Sequence, residues 1–384
     1  MLNRSGHFKS VVLSCIVLIA VGTVQYSCAQ QLIDPKATME TQALYKNLHE
    51  LSKKHTLFGH QDDLAYGVNW RYDAGRSDIK DVVGDYPAVH GWDLAGLEKE
   101  STKNIDGIPF SKMKTFIEEG YERGAVITLS WHFDNPLIGG SSWDAAPGTV
   151  TSILPGGEKH DLYKVWLDRA AAFMLDLKGK KGEPIPMLFR PFHELNGNWF
   201  WWGRKWCTPE EYIRIWRFTV NYLVKEKQLH NLIFVYNTNS FSSEAEFMER
   251  YPGDDVVDML SFDKYQYKED KDKFISSTRK ELEILTRLSE KKKKLSAFSE
   301  TGYEGVPDPK WWTGTLWPII EGFPISYVLV WRNAGYVESM KKMHYYAPYD
   351  RHPSAPDFKL FYKKRTVLFE KGLKQKNIYQ LHSK

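Results

Sequence analysis

Residues 185–194 read IPMLFRPFHE. A short apolar run ends abruptly on an arginine, a histidine and a glutamate, and four aromatic residues crowd into positions 199–202. The pattern recurs along the chain. Leu57 to His60, Tyr86 to Asp93, Ala125 to His132, Leu232 to Asn237, Val256 to Asp263, Leu295 to Glu300 and Ile325 to Asn333 are each short, apolar and closed by polar or aromatic residues. Helical stretches separate them. Short apolar runs alternating with helices indicate parallel strands covered on both faces. Eight strand–helix units predict an α/β fold, a (β/α)8 TIM barrel in one catalytic domain, rather than an open sheet.

The helices carry end signals of their own. Thr208-Pro209-Glu210-Glu211 is a capping box with proline at the first helical position, and it predicts a helix running towards Lys225. Asp161 is placed to cap the preceding helix, with Leu162, Val165, Trp166, Ala170 and Phe173 as its apolar stripe. Phe358 to Phe369 predicts a last helix, and Lys291 to Lys294 reads as a solvated helix end just before a strand. In such a barrel, catalytic groups belong at the carboxyl ends of strands. Those ends are His60, Asp93, His132, Glu194, Asn237, Asp263 with Tyr265, Glu300 and Trp331. Nearly all can bind a proton, a hydroxyl or a sugar face, which points to one shared site.

Composition narrows the class. With 384 residues, 42% hydrophobic, the chain can bury one large core or two modest ones. Its 26% charged and 14% aromatic residues suit a globular protein. Arg4 and Lys9, the apolar stretch Val11 to Val24 and the small residues Ser27 and Ala29 have the order of a secretory signal peptide. The apolar part is short for a membrane span. Residues 1–29 are therefore expected to be removed, leaving 30–384 as the catalytic domain, exported to the periplasm or the medium. Cys28 after a small residue leaves a second route open, processing as an outer-membrane lipoprotein, although Gln25 suits that signal poorly. The formal charge of +4 includes Arg4 and Lys9, so the processed chain is nearly neutral. No basic face marks a nucleic-acid partner. Cleavage after Ala29 leaves only Cys207, which excludes an internal disulfide. The chain is expected to act as a monomer without a cofactor.

Two glutamates carry the chemistry. Glycoside hydrolysis needs one carboxyl as proton donor and a second as nucleophile or base, on either side of the scissile bond. Glu194 and Glu300 stand at the ends of the fourth and seventh runs, opposed across a barrel mouth. A carboxyl dehydrated by aromatic neighbours keeps its proton to higher pH, which suits an acid. A carboxylate beside an arginine stays charged, which suits a nucleophile. Other chemistries find no support: there is no glycine-rich phosphate loop, no HExxH pair, no zinc-spaced Cys/His cluster and no nucleophile elbow around Ser299.

Arg190 to Glu194, followed by Asn196 and Trp199, resembles the acid/base segment of glycoside hydrolase family 26, the β-mannanase family. Ser299-Glu300-Thr301-Gly302 is similar to its nucleophile segment, and Val330-Trp331-Arg332-Asn333 to its last strand. Phe58-Gly59-His60-Gln61 and Gly91-Trp92-Asp93 are similar to its first two. The resemblance covers about residues 40–370. It implies a retaining enzyme cleaving β-1,4-mannosidic bonds in mannan, glucomannan or galactomannan, with Glu194 as acid/base, Glu300 as nucleophile and no metal. Mixed-linkage β-glucanase or β-1,3-xylanase activity stays open within the family, and non-catalytic glycan binding outside it. The two carboxyls should then lie about 5–5.5 Å apart. It further implies that Arg190 and His193 position Glu194 or the sugar hydroxyls, although Arg190 also reads as the counter-charge of a buried carboxylate. Trp199 accompanies the acid/base, His132 serves a subsite, and Tyr265 hydrogen-bonds the nucleophile while Asp263 orients its neighbours. Trp331 is the platform under the reacting sugar, Arg332 reaches the next sugar, and Trp143 lines the same side from the loop 134–159. Trp201, Trp202 and Trp206 read as packing.

Overall fold

A computed structural model describes residues 1–2, 31–268 and 270–381. The chain divides into two compact units, Met1–Gln31 and Leu32–Lys384. The expected leader core and Cys28 lie outside the described residues, and all that follows concerns the second unit.

Eight parallel strands run in chain order: β1 Thr56–Gln61, β2 Val89–Asp93, β3 Val126–Ser130, β4 Met187–Arg190, β5 Leu232–Asn239, β6 Met259–Gln266, β7 Leu295–Tyr303 and β8 Tyr327–Val330. Each pairs with the next, and β8 returns to β1 through Leu57↔Tyr327 to His60↔Val330, closing the barrel. Successive side chains on a strand face opposite ways. The inward set begins apolar with Leu57, Val89, Val126, Leu188, Ile233, Met259 and Leu295, all buried in one cluster with Leu44, Tyr45 and Leu48 of the helix Met39–Ser52. Two to four residues on, the same face turns polar: Asp93, Ser130, Arg190, Asn237, Asp263 and Ser299. The core thus fills one end of the barrel and charge fills the other. The outward set, Phe58 and Phe298 among others, packs beneath the helices.

Three features place the glutamates. β4 stops at Arg190 because Pro191 has no N–H to donate to the ladder. Glu194, expected to end that strand, instead lies in a tight turn in which Phe192 and Glu194 take φ values of +53° and +52°. Such backbone is unfavourable for L-residues and is held here by the packing around it. In β7 the register slips, Phe262 facing Phe298 but Asp263 facing Glu300, so Ser299 is an extra residue. This bulge turns both Ser299 and Glu300 towards the barrel mouth.

Other expectations are corrected. The second and last strands start later than the apolar runs, at Val89 and Tyr327. His60 shares the outward face of Phe58 and is fully buried, away from the mouth. The capping box of Thr208 and Glu211 forms, but the α-helix ends at Asn221 and a π-turn carries on to Glu226. Asp161 lies inside the helix His160–Asp176 and pairs with Lys164 at 2.7 Å instead of capping. That helix buries Tyr163, Trp166, Leu167, Ala170 and Met174, leaving Leu162 and Val165 exposed. The Tyr163 hydroxyl shares a hydrogen bond with Thr219, which turns the helix by about one residue from the purely apolar stripe. The segment 358–369 splits into the helix Ala355–Tyr362 and a strand, Val367–Leu368, that pairs with β1. Lys294 is buried, its ammonium donating to the Asp254 carbonyl, while Lys291 to Lys293 end the helix as expected.

Candidate active site

A cavity of about 580 Å3 opens at the carboxyl end of the strands. Glu194 and Glu300 face one another across it, walled by His132, Trp143, Tyr265 and Trp331. Oxygens of Glu194, Asp263 and Glu300 all lie within 4.8 Å of one another. That spacing falls near the ~5–5.5 Å of retaining glycosidases and well short of the ~6.5–9.5 Å that inverting enzymes need for a water.

The two carboxyls are held differently. Glu300 is 4% exposed and accepts from Arg190 Nη2 at 2.6 Å and from the Tyr265 hydroxyl at 2.8 Å. Glu194 is half-buried at the cavity wall and accepts from Trp199 Nε1 at 2.7 Å and Asn239 Nδ2 at 3.1 Å. Burial, reinforced by the charge of Glu300, pushes the Glu194 carboxyl up to about 7. The two carboxyls of this one site thus have opposite surroundings, Glu300 held by an arginine and a tyrosine and Glu194 by two uncharged donors.

Arg190 is fully buried behind the wall. Its Nη1 donates to Asn237 and stands 3.4 Å from Asp263, further than Nη2 stands from Glu300. Burial and the charge of Glu300 raise the Asp263 carboxyl well above its ordinary range, and Ser299 donates to it at 2.7 Å. The arginine's charge therefore serves chiefly Glu300. Arg190 is thus the counter-charge of buried carboxylates; its side chain reaches Glu300, Asp263 and Asn237, not Glu194, which is held by Trp199 and Asn239 instead.

On the opposite wall His132 Nδ1 contacts Asp93 at 2.6 Å, and its Nε2 lies 3.0 Å from Nε2 of His193. Burial opposes a charge on His132, but Asp93 raises it above its ordinary value. His193 is held well below, by burial and by the neighbouring His132 and Arg190. Trp143 stacks on the His132 ring, centroids 5.2 Å apart and nearly coplanar. Its loop is pinned by Asn135, which donates to the Asp144 carbonyl and accepts from the amides of Leu137 and Ile138.

The expected residues thus fall in three groups. Glu194, Glu300, His132, Trp143, Trp199, Tyr265 and Trp331 line the cavity. Arg190, His193 and Asp263 support it from behind. Arg332 stands apart, paired with Asp106 at 2.9 Å and donating to the Tyr66 hydroxyl. Sequence reasoning missed Asn239, Ser240, Lys264, Tyr267 and Tyr346, all on the wall. Asn239 follows Asn237, and Tyr267 follows Tyr265, by the two-residue period that could have found them. Tyr346 arrives from a hairpin return, held by its amide on Asn333 Oδ1, and no local signal marks it.

The model of glycosyl hydrolase family 26 matches residues 33–302. A GH26 β-mannanase from Bacteroides ovatus is 45% identical, with a TM-score of 0.85 over 90% of this chain and 98% of that one. The catalytic domain of a Bacillus sp. JAMB-750 GH26 endo-β-1,4-mannanase is 30% identical, with a TM-score of 0.82 over 91% and 96%. A mannan endo-1,4-β-mannosidase of Bifidobacterium adolescentis is 31% identical over 322 residues, 79% of this chain. The chain spans 32% of that relative's length, and 47% of a Thermothelomyces thermophilus one of the same name. With its closed barrel, its paired carboxyls and a match over most of its length, the chain belongs to glycosyl hydrolase family 26.

Proposed function

We propose that the protein hydrolyses β-1,4-mannosidic bonds in mannan-type polysaccharides with retention of configuration. The carboxyl pair carries this reading: Glu300, fixed by Arg190 and Tyr265, lies close to a Glu194 whose proton is retained to about pH 7. Glu300 attacks the anomeric carbon while Glu194 protonates the departing oxygen, leaving a glycosyl ester on Glu300. Glu194, now a carboxylate, takes a proton from water, which attacks the ester and restores both groups. Trp331 offers its face to the reacting sugar. His132, held by Asp93, lines the wall on that side.

The names of the relatives support mannan as the substrate. The test is a time course on mannan, galactomannan and mannohexaose beside lichenan and xylan, with NMR of the first products. The β-anomer of the new reducing end should appear before mutarotation. An initial α-anomer would mean inversion and end this assignment. Comparable rates on mannan and lichenan would sink the mannan reading and leave the glycosidase chemistry in place.

The same reading makes the protein an exported monomer that loses residues 1–29. Palmitate incorporation lost in Cys28→Ser would show a lipoprotein instead.

A further inference from the structure

Ser240 and Lys264 line the active-site cavity, and they also line a second groove of about 610 Å3. The junction between the two is built. Glu281, 5% exposed, accepts from Lys264 Nζ at 2.9 Å and from the Phe241 amide at 3.3 Å, and the Ser240 hydroxyl donates to it as well. Lys264 Nζ also donates to Ser277 at 2.8 Å. Beyond this junction the wall is the helix Lys271–Lys292, which turns Lys273, Ser277, Lys280 and Ile284 into the groove. Spacings of four, three and four residues put these on one helical face. Among the described residues neither Lys273 nor Lys280 has a carboxylate partner, so both ammonium groups can donate to a ligand.

The position of the groove decides its occupant. A line from Glu194, after β4, to Glu300, on β7, divides the ring of strands. His132, Trp143 and Trp331 follow β3 and β8 on one side; Asn239, Ser240 and Lys264 belong to β5 and β6 on the other. Asn239 holds Glu194, and Ser240 is the next residue. With the reacting sugar against Trp331, the leaving part of the chain departs on the opposite side, past Asn239 and Ser240. We propose that the groove is a distal subsite for the leaving-group arm of the polysaccharide, with Lys273 and Lys280 donating to its sugar hydroxyls. This rests on the mannan reading given above. A volume in the range of small-molecule sites accommodates more than one sugar.

The test compares wild type with the double variant Lys273→Ala/Lys280→Ala, two exposed helix positions. Two substrates are used: mannohexaose, and 4-nitrophenyl β-mannobioside, whose leaving group ends at the aryl ring. The variant should lose about tenfold in kcat/KM on mannohexaose, chiefly through KM, the size expected from two solvent-edge hydrogen bonds. On the aryl mannobioside it should stay within about twofold of wild type. Its hexaose cleavage should also shift towards the reducing end, giving shorter leaving fragments. Ser277→Trp, which fills the groove, should produce the same shift. An unchanged product pattern in both variants, or equal losses on both substrates, would overturn the subsite. Wild-type enzyme that cleaves neither substrate would overturn the mannan reading and the occupant with it.

Discussion

Trp199→Phe should move the alkaline limb of the activity profile upwards, although it damages the acid's own partner. Trp199 Nε1 donates to Glu194 Oε2 at 2.7 Å. A donor to a carboxylate stabilises its charged form, so this bond holds the Glu194 carboxyl below where burial and Glu300 alone would put it. Phenylalanine keeps the ring and removes the donor. A hydrogen bond to a charged group contributes about 1.5–3 kcal/mol. Trp199 is 40% exposed, so solvent screens part of this, leaving about 1 kcal/mol. At 1.36 kcal/mol per pH unit, the limb should rise from about 7 by about 0.7. Glu194 must be protonated to act on the free enzyme, so kcat/KM is lost as pH rises through its pKa, and a higher pKa extends activity upwards. The assay is kcat/KM against pH on a mannopentaose, for wild type and variant in one buffer series. The absolute rate is normalised away, because only the midpoint matters. A limb that stays in place or moves down would show that Glu194 does not set it, or that Trp199 acts only as a sugar platform.

Glu300→Ala should abolish cleavage of every glycoside, whereas Glu194→Ala should still glycosylate on aryl substrates that need little protonation. A Glu300→Ala enzyme with even a tenth of wild-type rate would refute the nucleophile assignment. Arg190→Met leaves Asp263 and Glu300 buried without their counter-charge, and urea unfolding should show a loss of about 3–5 kcal/mol. Unchanged stability would mean that one carboxyl is neutral throughout. Unsubstituted mannan should be cut at least about 100-fold faster than β-glucan in kcat/KM, roughly 2.7 kcal/mol of transition-state discrimination. His193→Asn removes the partner of His132 Nε2, and should reduce kcat on mannan more than it weakens binding of the intact chain.

The barrel was legible because its evidence is local. Apolar runs of strand length, the capping box at Thr208 and the polar residues that close each run all depend on near neighbours in sequence. Glu194 and Glu300 were legible for the same reason, since their segments carry distinctive neighbours. What sequence could not show was how the two are aimed. Glu194 leaves the strand because Pro191 ends the ladder and the turn adopts strained backbone, and Glu300 is aimed by a bulge that exists only in pairing with β6. The burial that lifts Glu194 to about 7 is a property of the closed mouth, to which distant segments contribute. Division of labour among the remaining residues was likewise tertiary. Arg190, His193 and Asp263 read like binding residues, yet the inward period of their strands and the turn after β4 place them behind the wall. Asn239, Lys264 and Tyr346 reach that wall from strand ends and a hairpin far apart in the chain. Alternation along one strand tells which way a side chain points, but only ring closure tells which side chains then meet.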